Sequence, residues 1–373
     1  MRLRKLAVLL IVILTAACMR LPDALQLAGT NAAVYADAEV STPEEFCAAM
    51  REAIRSVKDS VKVRIAKYDE NTYNVDSIFK RVLSENSGLG FVAGCSATIT
   101  TSLMKDSAVV ELKLQYLYPA EKIRTMRDEV ENKANEIIKT IIKHGMSDYD
   151  KVLAVHDHII KNSRYDRLNA DSNTVPPEEH EAYGVLVKGA GVCDSYAKAM
   201  KLLLEKAEVQ CIIVEGSKVE ATVQGNAAVD HAWNIVKLDG EYYHIDATWD
   251  DAYEEKDSTE LIYHHFNLND EEMKKTHVWD KTQYPACSGI KYNYFMYNKL
   301  VARNRAEAVA MLSNTISERE KRLMIKLADY KSSVYDIEGM IKDAAEKIRF
   351  RQRISAKWII NDSLGTVDME FEY

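Results

Sequence analysis

The chain has 373 residues, of which 47% are hydrophobic and 28% charged, with a formal net charge of −8. That length suggests two or three domains of ordinary globular composition, which excludes a disordered chain, a collagen-like fibre and a polytopic membrane protein. The acidic balance gives no footprint for nucleic-acid binding, and six cysteines are too few for a disulfide scaffold.

Residues 1–36 read as an export segment. Arg2, Arg4 and Lys5 precede an apolar run from Leu6 to Leu14, followed by Thr15-Ala16-Ala17-Cys18. A basic flank, a short apolar core and small residues form a secretory signal. The run falls well short of the roughly 20 apolar residues that span a bilayer. Two processing outcomes stay open. One is lipidation of Cys18, from a lipoprotein-type box in which Thr15 replaces the usual branched aliphatic. The other is simple cleavage near Ala17 or before Asp37. The expected location is extracytoplasmic, with Cys18 the one route to a membrane.

An internal repeat brackets the centre. Residues 54–79 match 316–341 at a constant offset of 262: Ile54 meets Ile316, Tyr68 meets Tyr330, Tyr73 meets Tyr335 and Val75 meets Ile337. Residues 110–116 match 367–373 at offset 257. Each copy reads as an amphipathic helix, a strand of period 2, a second helix and two closing strands. The spacing thus predicts one small α+β module twice, over 40–117 and 296–373. Neither copy holds a histidine or an acid–base pair, which makes a structural or binding role the expectation.

The segment 118–295 between them differs. It opens with a helical stripe of Ile123, Met126, Val130, Ala134, Ile137, Ile138, Ile141 and Ile142. Gly145 stands where a helix ends, and Ser147-Asp148-Tyr149-Asp150 reads as the cap of the next. Asn169–Glu181, polar and containing Pro176-Pro177, reads as an exposed loop.

Candidate chemistry follows. Gly189-Ala190-Gly191-Val192-Cys193 precedes a helical pattern through Met200, Leu203 and Leu204. Cys193 therefore falls at a helix N-terminus, where N–H groups and the macrodipole favour a thiolate. Its amide N–H is a candidate oxyanion donor. Asp239-Gly240 between two alternating runs predicts a two-residue hairpin. That register sets Ile235 opposite His244 and Trp233 opposite Asp246, and puts His231 and Asp246 on one face as diagonal neighbours, roughly 7–8 Å apart at Cα. Asp246 would then hold the His231 imidazole. Cys193, His231 and Asp246 supply nucleophile, base and orienter. A metal set of His231, His244 and Asp246 shares that face too, but lacks ligand spacing and is not adopted. His156 and His158, two apart on a predicted helix and so on different faces, and the pair His264-His265, without a partner, read as structural.

Tyr183-Gly184-Val185-Leu186 leading to Gly191-Val192-Cys193-Asp194-Ser195-Tyr196-Ala197, then His231-Ala232-Trp233-Asn234, then His244-Ile245-Asp246-Ala247-Thr248-Trp249-Asp250, resembles the bacterial transglutaminase-like superfamily. The resemblance covers about 145–255 and leaves the flanking repeats outside. It implies an α+β class with a central papain-like core of helices on an antiparallel sheet, and a Cys193-His231-Asp246 triad. Tyr183 is a further aromatic candidate for the oxyanion. Asp194 stands where relatives often carry Gln, and an acid beside the nucleophile opposes thiolate formation unless it points away. No calcium-loop motif is visible, so no cofactor is carried over.

The resemblance implies an exported cysteine-dependent amide hydrolase or acyltransferase. It would act through a thioester on protein or peptide substrates, cell-wall associated ones included. The alternative is a non-catalytic surface binding or assembly protein. Pairing among Cys47, Cys95, Cys211 and Cys287 is not readable.

Overall fold

The computed structural model describes residues 36–86, 88–101, 106–219, 231–251 and 261–373. The segment up to residue 35, expected as an export signal with lipidation at Cys18 or cleavage near Ala17, lies outside the described residues. The chain divides into two compact units, Met1–Glu131 and Asn132–Tyr373.

The first unit is built on a four-stranded sheet. β1 (Ala38–Val40) runs parallel to β2 (Ser60–Ile65); β2 pairs antiparallel with β4 (Ala108–Tyr116), and β4 with β3 (Val92–Thr101). Helix α1 (Pro43–Arg55) starts where the sequence dictates. Thr42 and Glu45 form a reciprocal capping box, and Pro43 opens the first turn. Its Phe46, Cys47, Met50, Ala53 and Ile54 are buried. They pack with Val61, Val63 and Ile65 of β2 and with Ile78, Phe79 and Val82 of α2 (Val75–Glu85). Helix α3 (Ala120–Ile141) follows, burying Ile123, Met126, Val130, Ala134 and Ile137. Gly145 adopts φ +87° in the turn beyond it, and Ser147 caps α4 (Asp148–Asn162) through a second capping box, with Asp150.

The second unit holds an antiparallel sheet in the order β10-β7-β8-β9: β7 is Cys211–Lys218, β8 His231–Leu238, β9 Glu241–Ile245 and β10 His277–Val278. Ile235 pairs with His244 in the β8–β9 hairpin, the register read from the sequence. Asp239 and Gly240 both have positive φ, +49° and +88°. That is the turn whose twist matches a hairpin, and it explains the Asp-Gly pair. The ladder ends at Ile245, and helix α6 (Ala247–Asp251) starts two residues on, after α5 (Cys193–Lys206) has crossed the sheet. Asn234 Nδ2 donates to Ala197 O at 3.0 Å, tying β8 to α5.

The expected loop Asn169–Glu181 is exposed over Asp171–Thr174 but is partly structured and is anchored at Glu179. Arg167–Ser172 is helical and Pro177–His180 forms a 3₁₀ turn with Glu179 only 7% exposed. The cause is a contact with no sequence periodicity: Glu179 O accepts from Val192 N at 3.1 Å, beside the nucleophile strand.

The same unit ends in a second four-stranded sheet, β11 (Val301–Ala302), β12 (Arg322–Leu327), β14 (Thr366–Glu372) and β13 (Ser355–Asn361) in that spatial order. Helices α7 (Arg305–Glu318) and α8 (Ile337–Lys347) pack their Leu312, Ile316, Met340 and Ala344 into its core. Its strand order and directions equal those of the first unit's sheet. Tyr68 stacks on Tyr73 at 6.1 Å and 25°, and Tyr330 on Tyr335 at 6.0 Å and 24°. Val57 and Arg319, at matching positions, both take positive φ, +52° and +55°.

Candidate active site

Cys193 opens α5, and the helix has no side-chain cap: Val192, in extended backbone, precedes it. First-turn N–H groups left without a cap can face a developing anion. The approach to Cys193 is clamped on both sides. Strand β5 (Arg164–Tyr165) pairs parallel with β6 (Ala190–Gly191), with Tyr165 opposite Gly191. Ser195 Oγ donates to Glu181 O at 2.6 Å and accepts from Val185 N at 3.0 Å. A Cβ on Gly191 would lie 2.6 Å from both Cβ and Oγ of Ser195, so only glycine fits there. Cys193 itself is partly buried.

His231 begins β8 and is buried. Its Nε2 lies 2.6 Å from Asp246 Oδ2, and the Cys193 thiol is close enough to the same imidazole to act on its protonation. With Nε2 held by the carboxylate, Nδ1 is the ring nitrogen left for the thiol. Burial disfavours the charged ring, but the Asp246 carboxylate outweighs it, and with the thiol contact raises His231 to about 10. The three residues singled out from the sequence therefore meet. Asp246 is not a ladder residue, as the sequence register had it. It caps α6, with Oδ1 accepting from Thr248 N at 2.9 Å and Trp249 N at 3.1 Å.

Asp246 Oδ2 also accepts from His277 Nε2 at 3.0 Å, a partner that sequence reasoning missed. His277 lies 31 residues downstream in the two-residue strand β10, too short to carry a pattern. Burial would raise the Asp246 carboxyl; His231 and His277 together hold it far below the usual carboxylate range. Trp233 and Trp249 flank the His231 ring at 5.8 and 5.9 Å between centroids.

Asp194 turns away from the role feared for it. His180 Nδ1 lies 3.0 Å from Asp194 Oδ2. Burial acts to raise the Asp194 carboxyl, but His180, with Lys198 nearby, lowers it. Its negative charge is thus answered locally. Tyr183 is half-buried at the head of a π-helical turn, Gly184–Lys188. The tyrosine that faces Cys193 electrostatically is Tyr165, whose hydroxyl pKa is pushed up to about 12, by burial first and the Cys193 sulfur next.

His244 lies on the face predicted for it, opposite Ile235, but it does not join Asp246. Trp233 Nε1 donates to its Nδ1 at 3.0 Å, and its Nε2 meets Asp270 Oδ1 at 2.9 Å. His265, expected to lack a partner, shares the buried Asp250 with His156, at 3.3 Å and 3.1 Å. Among the described residues, two groups have ligand atoms close enough for a cation, His231-Asp246-His277 and His244-Asp270-Cys287, each within 4.8 Å. In both, the histidine nitrogen facing the carboxylate needs its proton for that bond, so a cation would have to displace it. The five cysteines among the described residues are free thiols; Cys47, Cys211 and Cys287 are buried.

Residues 135–247 match the family model described as the transglutaminase-like superfamily. The mouse protein named kyphoscoliosis peptidase is 30% identical over 138 residues, which cover 35% of this chain and 20% of that protein. Its human counterpart is 28% identical over the same coverage. The chain thus spans about a fifth of the length of these relatives. A solved structure described as a TGase overlaps 62% of this chain and 64% of its own, at 14% identity and a TM-score of 0.29.

Proposed function

We propose that this transglutaminase-like superfamily protein is a cysteine-dependent amide hydrolase or acyltransferase, with Cys193 as nucleophile, His231 as base and acid, and Asp246 as orienter. The observation that carries the reading is one imidazole bonded at Nε2 to a buried carboxylate and influenced by the thiol of a partly buried cysteine at a helix start.

The chemistry follows from that arrangement. His231 Nδ1 takes the Cys193 proton, and Asp246 stabilises the imidazolium. The thiolate attacks an amide carbonyl, and its oxygen faces the Cys193 N–H. The imidazolium returns the proton to the departing amine, leaving a thioester. Water then completes hydrolysis, or a second amine completes transfer. Hydrolysis is the favoured outcome here: Cys193 is not fully buried, which is consistent with water reaching the thioester.

Protein or peptide amides are the proposed substrates. Export rests on the basic-apolar-small pattern of residues 2–18, which puts the site of action outside the cytoplasm, with Cys18 as a lipid anchor where it is modified. Among the described residues no helix is long and apolar enough to cross a membrane. The two outer α+β modules are inferred to be copies of one unit. Shared strand order, matching helices and the paired tyrosine stacks support this. Their role is substrate or surface engagement.

The test is incubation with a peptide library, read by mass spectrometry. Cleavage, deamidation and amine incorporation give distinct mass changes. Any of the three that disappears in Cys193→Ala and His231→Ala supports the reading. None of them, with the protein folded, leaves the binding-protein alternative.

A further inference from the structure

Asp246 is a buried carboxylate serving two histidines through one oxygen. Oδ1 is occupied by the Thr248 and Trp249 amides, and Oδ2 takes both His231 and His277. His277 contributes nothing to the proton path just described, yet it is almost fully buried and held as firmly as His231. Its Nδ1 lies 2.8 Å from Thr276 Oγ1. Because Nε2 faces an ionised carboxylate, Nε2 carries the proton, and Nδ1 accepts from the threonine hydroxyl, whose other acceptor, Met273 O, is farther at 3.3 Å. Its tautomer is fixed from both ends. The ring sits 4.4 Å from Trp249, 4.9 Å from Trp233 and 5.3 Å from the His231 ring, centroid to centroid. The other titratable groups around it are His265, 5.8 Å away, and the exposed Lys218 across the ladder on β7. Burial pushes His277 down to about 4 against the pull of Asp246, so it is a neutral donor at pH 7.

We propose that His277 is a positioning residue for the Cys193–His231 pair: its neutral Nε2–H pins the second oxygen of Asp246, so the carboxylate cannot pivot on its two amide anchors and stays aimed at His231. Without it, Oδ2 keeps a single partner, and the imidazole that must hold the thiol proton loses its fixed orientation. The inference rests on the cysteine-enzyme reading, since a base without a nucleophile needs no such precision.

The experiment uses the full chain and iodoacetamide, with alkylation of Cys193 followed by peptide mapping at pH 7. It compares wild type, His231→Ala, His277→Leu and His277→Gln, each checked by thermal unfolding. Glutamine places an amide N–H near the position of the histidine Nε2; leucine fills space and donates nothing. The expected result is alkylation about 10-fold or more slower in His277→Leu, and His277→Gln within about threefold of wild type. Should the leucine variant not fold, His277→Asn replaces it: its shorter amide falls away from Asp246 and gives the slow rate, against the rescued rate of glutamine. Leucine at the wild-type rate, or folded glutamine as slow as the non-donating variant, overturns the positioning role while leaving the triad intact. His231→Ala alkylated as fast as wild type overturns the cysteine-enzyme reading, and this inference with it.

Discussion

Asp246 Oδ2 lies 2.6 Å from His231 Nε2, and neither residue is open to water beyond a few per cent. A charged ring survives burial there only because the carboxylate faces it. Asp246→Asn keeps the shape but removes the charge and turns an acceptor partly into a donor. The expected loss in kcat/KM for any amide hydrolysis found is roughly 10²–10⁴-fold, the scale seen when a triad carboxylate is neutralised. Alkylation of Cys193 at pH 7 should slow in parallel. Rates equal to wild type in a folded variant would remove Asp246 from the mechanism.

Asp194, immediately after the nucleophile, offers a test with two signs. Its carboxylate is answered by His180 at 3.0 Å, and both side chains are partly exposed. His180→Ala leaves the negative charge facing the sulfur and should slow Cys193 alkylation by about two- to fivefold at low salt. Asp194→Asn should do the reverse. Added salt should shrink both effects, because exposed charges are screened over roughly 10 Å at 0.1 M. Two variants moving the rate in one direction would show that Asp194 acts through shape instead.

The sequence made the placement of Cys193, His231 and the hairpin readable, because each lies in a segment with its own local signal. Cys193 follows small residues and precedes a helical stripe; Asp239-Gly240 sets a register that carries His231 and His244 to their places. His277 was illegible because its strand is two residues long and its partner lies 31 positions away. Glu179 was hidden for a related reason: a polar, proline-containing run reads as solvent-facing, and only the tertiary contact with Val192 buries it. His156 and His265 likewise found their common partner, Asp250, across 94 and 15 residues. Periodicity reports which face is apolar, not which distant carboxylate waits behind it.

Gly191 gives a stability prediction with a functional consequence. An added Cβ would stand 2.6 Å from Ser195 Cβ and Oγ and 3.2 Å from Glu179 O. Ser195 cannot swing away without giving up its bonds to Glu181 O and Val185 N. Gly191→Ala is therefore expected to cost about 1–3 kcal/mol, the range for overpacking, and to displace the start of α5. A melting curve and the Cys193 alkylation rate should both fall. A variant that melts with wild type and labels normally would mean that the turn relaxes freely.

Glu179 carries the clearest pH signature outside the triad. Burial, then its bond to Asp166, raises its carboxyl to about 7. Asp166 moves the other way, lowered chiefly by its bond to Asn169, so the shared proton resides on Glu179. Glu179 Oε2 is buried without a hydrogen-bond partner among the described residues, as suits a neutral acid. An acid whose folded pKa lies above its unfolded value near 4.5 binds the extra proton in the native state. Its contribution to stability is full below pH 4.5 and fades as pH rises through 7. Glu179→Gln retains a donor toward Asp166 and never ionises. The variant should match wild type near pH 5 and exceed it by about 1–2 kcal/mol at pH 8, read as a melting temperature a few degrees higher. Because Glu179 O holds Val192 in place, the same comparison should show wild-type Cys193 alkylation losing ground to the variant as temperature rises at pH 8. Parallel stability curves for the two proteins from pH 5 to 8 would show that the proton is not held on Glu179.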